Sequence, residues 1–275
     1  MSEILVRLQE KNDLEQIVDV FIESFLKSKP DEIARSEIIQ RFQLINKKNI
    51  TSFYVAELME QIVGIGGLTN HKGSSFIGYI GVNPNYRKRG IGTKIFEELV
   101  KEANKNNQTQ ELFSNPGADT IYRRFGYKDD FIAHIYELTK AKEAKMSDEI
   151  VVYEKIPNWI FNLDKKAMGF DRTKFLNYLI NLPRSKVYGF EKDGFAFDTK
   201  LMFGPIIAIS ENIAFKLIDY NLISGNKKII ASENIGNKLL RYSPEIKQTC
   251  FKMSLGKPLE NKPDWLWSYN SFASS

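Results

Sequence analysis

The densest chemistry in the sequence lies at Val82-Asn83-Pro84-Asn85-Tyr86-Arg87-Lys88-Arg89-Gly90-Ile91-Gly92-Thr93-Lys94. An apolar run enters a basic, glycine-containing turn, and the turn opens an amphipathic segment. Such a turn is an anion cradle. Gly90 and Gly92 let backbone N–H groups converge without Cβ obstruction, and a helix start there adds about half a positive charge. Arg87, Lys88 and Arg89 supply charge-assisted contacts. The candidate anion ligands are therefore Arg87, Lys88, Arg89, Gly90, Ile91, Gly92 and Thr93. A Walker A loop needs Gly-Lys-Ser/Thr, and Gly92-Thr93-Lys94 has the wrong order. The dinucleotide pattern Gly-x-Gly-x-x-Gly fails at Ile95, and again after Gly64 and Gly66, where Thr69 stands in the third glycine's place.

Other reactive side chains are sparse. Two histidines (His71, His134) and one cysteine (Cys250) leave no zinc cluster to build, so no metal is expected. The single cysteine cannot close an internal disulfide, which suits a reducing, cytoplasmic setting. Glu15, Asp19 and Glu23 recur every fourth residue along one helix face, either to draw a cationic substrate or simply as a solvated face. His71, in a turn, reads more readily as a solvated residue than as a base.

The elements that must position these groups follow from periodicity. Ile4–Gln9 reads as a strand, and Asn12 with Glu15 forms a capping box that opens a helix. Leu14, Ile17, Val18, Phe21 and Phe25 fall on its buried face. Pro30-Asp31 opens a second helix with Ile38, Ile39, Phe42 and Ile45 inward. Strands are expected at 52–58, 62–68 and 74–82, a helix at 92–104, a strand at 110–114, a short helix at 118–125 and a closing strand at 131–138. The polar stretch 139–149 reads as a linker. Beyond it come a strand at 151–153, two helices flanking Gly169-Phe170, and strands at 186–190 and 195–203. A helix at 211–222, a strand at 227–231, a helix at 235–240 and a strand at 248–253 follow. The order repeats that of the first half, as in a degenerate repeat.

Arg87-Lys88-Arg89-Gly90-Ile91-Gly92 resembles the Arg/Gln-x-x-Gly-x-Gly/Ala pyrophosphate loop of the GNAT N-acetyltransferase superfamily. Ile80-Gly81-Val82-Asn83-Pro84 is similar to that family's fourth strand and its exit. Ile121-Tyr122-Arg123-Arg124-Phe125-Gly126-Tyr127 is similar to its Leu-Tyr-x-x-x-Gly-Phe motif. Gly169-Phe170-Asp171-Arg172 and Phe203-Gly204-Pro205 resemble the C-terminal domain of two-domain members. The resemblance implies an α/β (α+β) fold, a mixed central sheet flanked by helices, with a second, GNAT-like domain. It implies a catalytic domain at 1–140 that takes acetyl-CoA as co-substrate. A degenerate domain at 150–275 would wall the acceptor site and bind no CoA. Backbone groups of Ile80, Gly81 and Val82 would polarise the thioester and hold the pantetheine arm, and Tyr122 would give a proton to the departing thiolate. Without the resemblance, Tyr122 reads first as an amphipathic core residue. No base is assigned: 74–82 holds no carboxylate or histidine, and Glu57, His71 or a water relay stay open.

Composition bounds these readings. The chain has 275 residues, 43% hydrophobic and 27% charged, as expected of two globular domains. No run approaches about 18 apolar residues, so no membrane partner is expected, and the N-terminus carries no secretory pattern. Residues 1–145 hold 21 Lys+Arg against 20 Asp+Glu and the remainder 18 against 14, without a long cationic run. A nucleic-acid partner is therefore not expected. The expected function is acetyl transfer to a small-molecule primary amine, reached through a cleft between the domains. The alternatives are a CoA-binding sensor without turnover and association with nucleic acid. The oligomeric state is open. The aromatic tail from Trp265 to Phe272 is expected to pack on the C-terminal domain rather than wall the acceptor pocket.

Overall fold

The computed structural model describes residues 3–26, 28–106, 109–139, 147–199, 203–223, 225 and 227–273. Most of the expected linker, residues 140–146, lies outside the described residues. The chain forms two compact units, residues 1–70 with 74–110 and residues 71–73 with 111–273.

In the first unit β1 (Leu5–Leu8), β2 (Ser52–Leu58), β3 (Gln61–Asn70) and β4 (Ser75–Val82) lie in that order, antiparallel throughout. Helices α1 (Leu14–Phe25) and α2 (Glu32–Lys47) precede β2, and α3 (Ile91–Asn106) follows β4. The start of α2 is as expected: Asp31 Oδ1 accepts from the Ala34 N–H at 2.8 Å. The start of α1 is not. The capping box joins Glu10 and Asp13 around a 3₁₀ turn, instead of Asn12 and Glu15. Arg7 holds the Asp13 carboxylate at 2.6 Å and the Glu10 N–H donates to it, so Asp13 is already fixed one residue before the helix begins. Ile17, Val18, Phe53, Val55, Ile65, Ile95 and Leu99 are buried completely.

In the second unit β5 (Thr109–Ser114) leads to α4 (Asp119–Arg124) and β6 (Lys128–Leu138). Then come β7 (Ile150–Tyr153), α5 (Asn158–Met168), α6 (Thr173–Ile180), β8 (Lys186–Phe190), β9 (Gly194–Asp198) and β10 (Phe203–Ala208). The chain continues through α7 (Glu211–Ile223), β11 (Lys228–Ser232), α8 (Glu233–Lys238), β12 (Pro244–Gly256) and β13 (Leu266–Ser268). From β7 to β12 this is the order of β1 to β6, so the repeat read from the sequence is present. The expected strand at 195–203 holds nearly all of one strand and the first residue of another: β9 stops at Asp198, and β10 begins at Phe203 and runs through Pro205.

The last strands of the two halves are exchanged. Neighbours run β5–β12–β6–β11, so β12 stands beside the first half's β5 and β6 beside the second half's β11. The remaining strands order as β13–β10–β9–β8–β7. Tyr188, Phe190, Phe203, Leu217, Ile229 and Trp267 share one core. Trp267 of the tail packs there as expected, with its ring 5.7 Å from that of Phe215, whereas Tyr269 and Phe272 lie against Phe113 of β5 at 5.1 and 4.9 Å. Gly169 caps α5 at φ 79°, and Arg172 is fully buried, bonding Asp164 through Nε and Nη2 at 2.8–3.1 Å. That pair accounts for the Gly169-Phe170-Asp171-Arg172 signature as a structural one.

Candidate active site

Two local devices shape β4. Ile65 pairs with Gly81 and Gly67 with Gly78, so Gly66 alone faces Tyr79 and Ile80 across a bulge. Tyr79 takes φ 55°, a rare conformation for a bulky residue, and its buried ring anchors it against Phe21, Phe42 and Phe53 at 5.2–6.2 Å. A bulge bends the strand and leaves backbone groups unpaired, here directly before Gly81 and Val82. Below it, α3 sits very close to β3. A Cβ on Gly64 would come within 2.9 Å of Ile91 and Ile95, and one on Gly66 within 2.5 Å of Ile95. The glycines that fail the dinucleotide pattern thus serve helix packing.

The strand leaves through Asn83, whose Oδ1 accepts from the Asn85 N–H at 3.0 Å and whose Nδ2 donates to Glu23. The turn Pro84–Tyr86 follows, then the basic residues. Arg87 Nε donates to the Val82 carbonyl at 3.0 Å, Arg89 lies 5.4 Å over the Tyr86 ring, and Lys88 and Gly90 take φ 62° and 77°. The Lys94 N–H donates to the Gly90 carbonyl, so Gly90 is the N-cap of α3, and the N–H groups of Ile91, Gly92 and Thr93 have no partner inside the helix. Arg87, Lys88 and Arg89 are exposed, and the first turn of α3 holds no acidic residue. A Cβ on Gly92 would touch only Val82, at 3.6 Å, so its remaining surroundings are open to a ligand. The expected anion ligands are thus brought together on one strand-turn-helix unit, and their chemistry fits a pyrophosphate.

Tyr122 lies in the other compact unit, buried on α4. Burial, and then the neighbouring Cys250, push its phenol up to about 12. Cys250 is itself pushed up to about 12 by burial, which makes it a poor nucleophile. The candidate bases fare differently. Glu57 is tied to Arg7 at 2.7 Å. His71 is buried, not solvated, with its ring 5.2 Å from that of Phe170. Glu15 and Asp19 both hold Arg35, at 2.8 and 2.9 Å, on an exposed face. Asp19, Glu23, Arg35, Gln61 and Asn83 line a polar cavity of about 370 Å³ beside the strand exit. From sequence, Glu23 was singled out in the carboxylate stripe of α1 and Asn83-Pro84 as the strand exit; Tyr79 was not singled out.

Among the described residues no group of three His, Cys, Asp or Glu side chains could hold a metal ion, and no helix is long and apolar enough to cross a membrane. Comparison with known proteins finds an acetyltransferase (GNAT) domain at residues 49–129 and another at 160–265. An acetyltransferase of Sodalis glossinidius is 40% identical over 52 residues, 18% of this chain, and the match spans 35% of that protein's length. A crystal structure of a Pyrococcus horikoshii protein assigned as an acetyltransferase superposes with a TM-score of 0.91 at 26% identity, covering 99% of this chain and 96% of that one. A tandem GNAT protein from the clavulanic acid biosynthesis pathway shares the fold, with a TM-score of 0.62 at 11% identity over 93% of this chain and 99% of that one. With two matched domains spanning well over half of its length, on a duplicated fold of the same kind, the chain belongs to the GNAT acetyltransferase family.

Proposed function

We propose that this protein transfers an acetyl group from acetyl-CoA to a primary amine of a small molecule, by direct attack on the thioester. The observation that carries the reading is the exposed basic turn at the start of α3, with open space at Gly92 and no acidic residue in the first helical turn. In this reading Arg87, Lys88 and Arg89 and the backbone of Gly90, Ile91, Gly92 and Thr93 hold the pyrophosphate of CoA. Backbone groups of Ile80, Gly81 and Val82, displaced by the bulge, take the pantetheine arm and polarise the carbonyl.

The neutral amine forms its C–N bond to the carbonyl carbon as the C–S bond breaks. The nitrogen loses a proton and the sulfur gains one. Tyr122, protonated up to a pKa of about 12, serves the sulfur as hydrogen donor. The cavity of about 370 Å³ beside Asn83 is of small-molecule size; Arg35 already holds Asp19, and Glu23 faces the same space together with Lys29, a mixed polar lining for an amine-bearing small molecule. Residues 1–140 would carry donor binding and catalysis, and residues 150–275 would support the acceptor side without a donor of their own. The test is thiol release from acetyl-CoA with a panel of amino sugars, amino acids and polyamines. Release that depends on one amine class supports the reading, and acetyl-CoA binding without release by any of them contradicts it.

A further inference from the structure

The second half of the chain holds its own answer to where a second donor would bind. By element order β10 is the counterpart of β4 and β11 of β5. The edge of β10 away from β9 is therefore the counterpart of the edge whose backbone the reading above gives to the donor's extended arm. In the second half that edge is occupied. Ser268 of β13 pairs with Ile206 of β10, and Leu266 with Ile207.

On its far side the same segment reaches β11. The Tyr269 N–H donates to the Ile230 carbonyl at 2.8 Å, and the Ile230 N–H donates to Ser268 Oγ at 3.1 Å. Ser268 Oγ in turn donates to the Phe203 carbonyl at 2.8 Å, tying the segment to both strands at once. Leu266, Trp267, Ser268 and Tyr269 are all buried, and Gly204 has no side chain where a Cβ would overlap the Tyr269 carbonyl.

We infer that Leu266–Tyr269 is a built-in occupant of the second half's donor slot, an extended backbone standing between β10 and β11 in place of a pantetheine arm. Being tethered, it meets the slot at an effective concentration that a free cofactor would have to exceed. The start of α7 is consistent with this: Ser210 caps it, through the Ile213 N–H at 3.5 Å, and Glu211 sets a carboxylate where a phosphate would otherwise lie. The inference rests on the donor reading only for the assignment of the β4 edge.

The experiment is hydrogen exchange on the full chain, with pantetheine as probe. In the wild type the amides of Ile230 and Tyr269 should exchange slowly, like those of β10, and millimolar pantetheine should leave them unchanged. Ser268→Ala removes the hydroxyl's bonds to Ile230, Phe203 and Tyr269 while keeping the backbone, and should speed exchange at Ile230 by about tenfold with β3 unaffected. Gly204→Ala should displace the segment, and pantetheine should then restore protection at Ile230. Exchange at Tyr269 in the wild type as fast as at Ala273 would overturn the inference. So would pantetheine that protects the wild type, or that fails to protect a folded Gly204→Ala protein. Failure of the donor reading looks different: no acetyl-CoA binding by the wild type, with this exchange pattern intact.

Discussion

At the scale of single residues, the two groups with the sharpest roles respond to different variants. Tyr122→Phe keeps the ring that fills the core and removes only the hydroxyl. Acetyl-CoA affinity should survive while turnover falls by about 10²–10⁴-fold, read as kcat against a calorimetric Kd. Because burial raises the phenol, its proton stays in place as pH rises to about 12. At about pH 10, where an ordinary tyrosine is half ionised, the wild-type rate should therefore show no loss from this group. A wild-type turnover rate in the variant would leave Tyr122 as packing alone. The cradle residues were legible in the sequence because their chemistry is local: charge, glycine and a helix start within seven positions. Tyr79 was not legible. Its conformation is imposed by a bulge and three surrounding rings, none of which its own neighbours in sequence announce.

At the scale of elements, the fit of α3 on β3 positions the cradle, and it is made by glycines. A Cβ at Gly66 would lie 2.5 Å from Ile95 and 2.7 Å from Leu99. Gly66→Ala should therefore cost about 1–3 kcal/mol through overpacking, seen as a lower urea midpoint. It should also weaken acetyl-CoA binding, since α3 carries the anion-binding N–H groups. An unchanged midpoint would show that α3 can move away freely. The helices and most strands were readable because periodicity survives in short windows: β2 and β8 lie where expected, and α2 begins at its aspartate cap. β10 was missed for a physical reason. Its Gly204-Pro205 reads as a strand breaker, and only the position against β9 and β13 makes it a strand.

At the scale of the whole molecule, the exchange of β6 and β12 matters most and was the least legible. Pairing between residues over a hundred positions apart, such as Cys250 with Ala133, leaves no mark in local pattern. Its consequence is that the proposed roles of residues 1–140 and 150–275 do not correspond to separable pieces of chain. A chain cut after residue 145 would strip β6 of both β11 and β12 and leave their long edges open. That fragment should aggregate on expression, and a monomeric, folded fragment by light scattering and circular dichroism would argue against the exchange.

The central claim is a single donor site built on the turn before α3, and calorimetric titration with acetyl-CoA tests it most directly. Gly92→Val is the cleaner variant, because Gly92 lies within helix α3 with only Val82 near its Cβ position, whereas Gly90 at φ 77° would strain any replacement. The wild type should bind one equivalent per chain, and folded Gly92→Val should bind at least about tenfold more weakly. Two equivalent sites per chain, or unchanged affinity in the folded variant, would contradict the account.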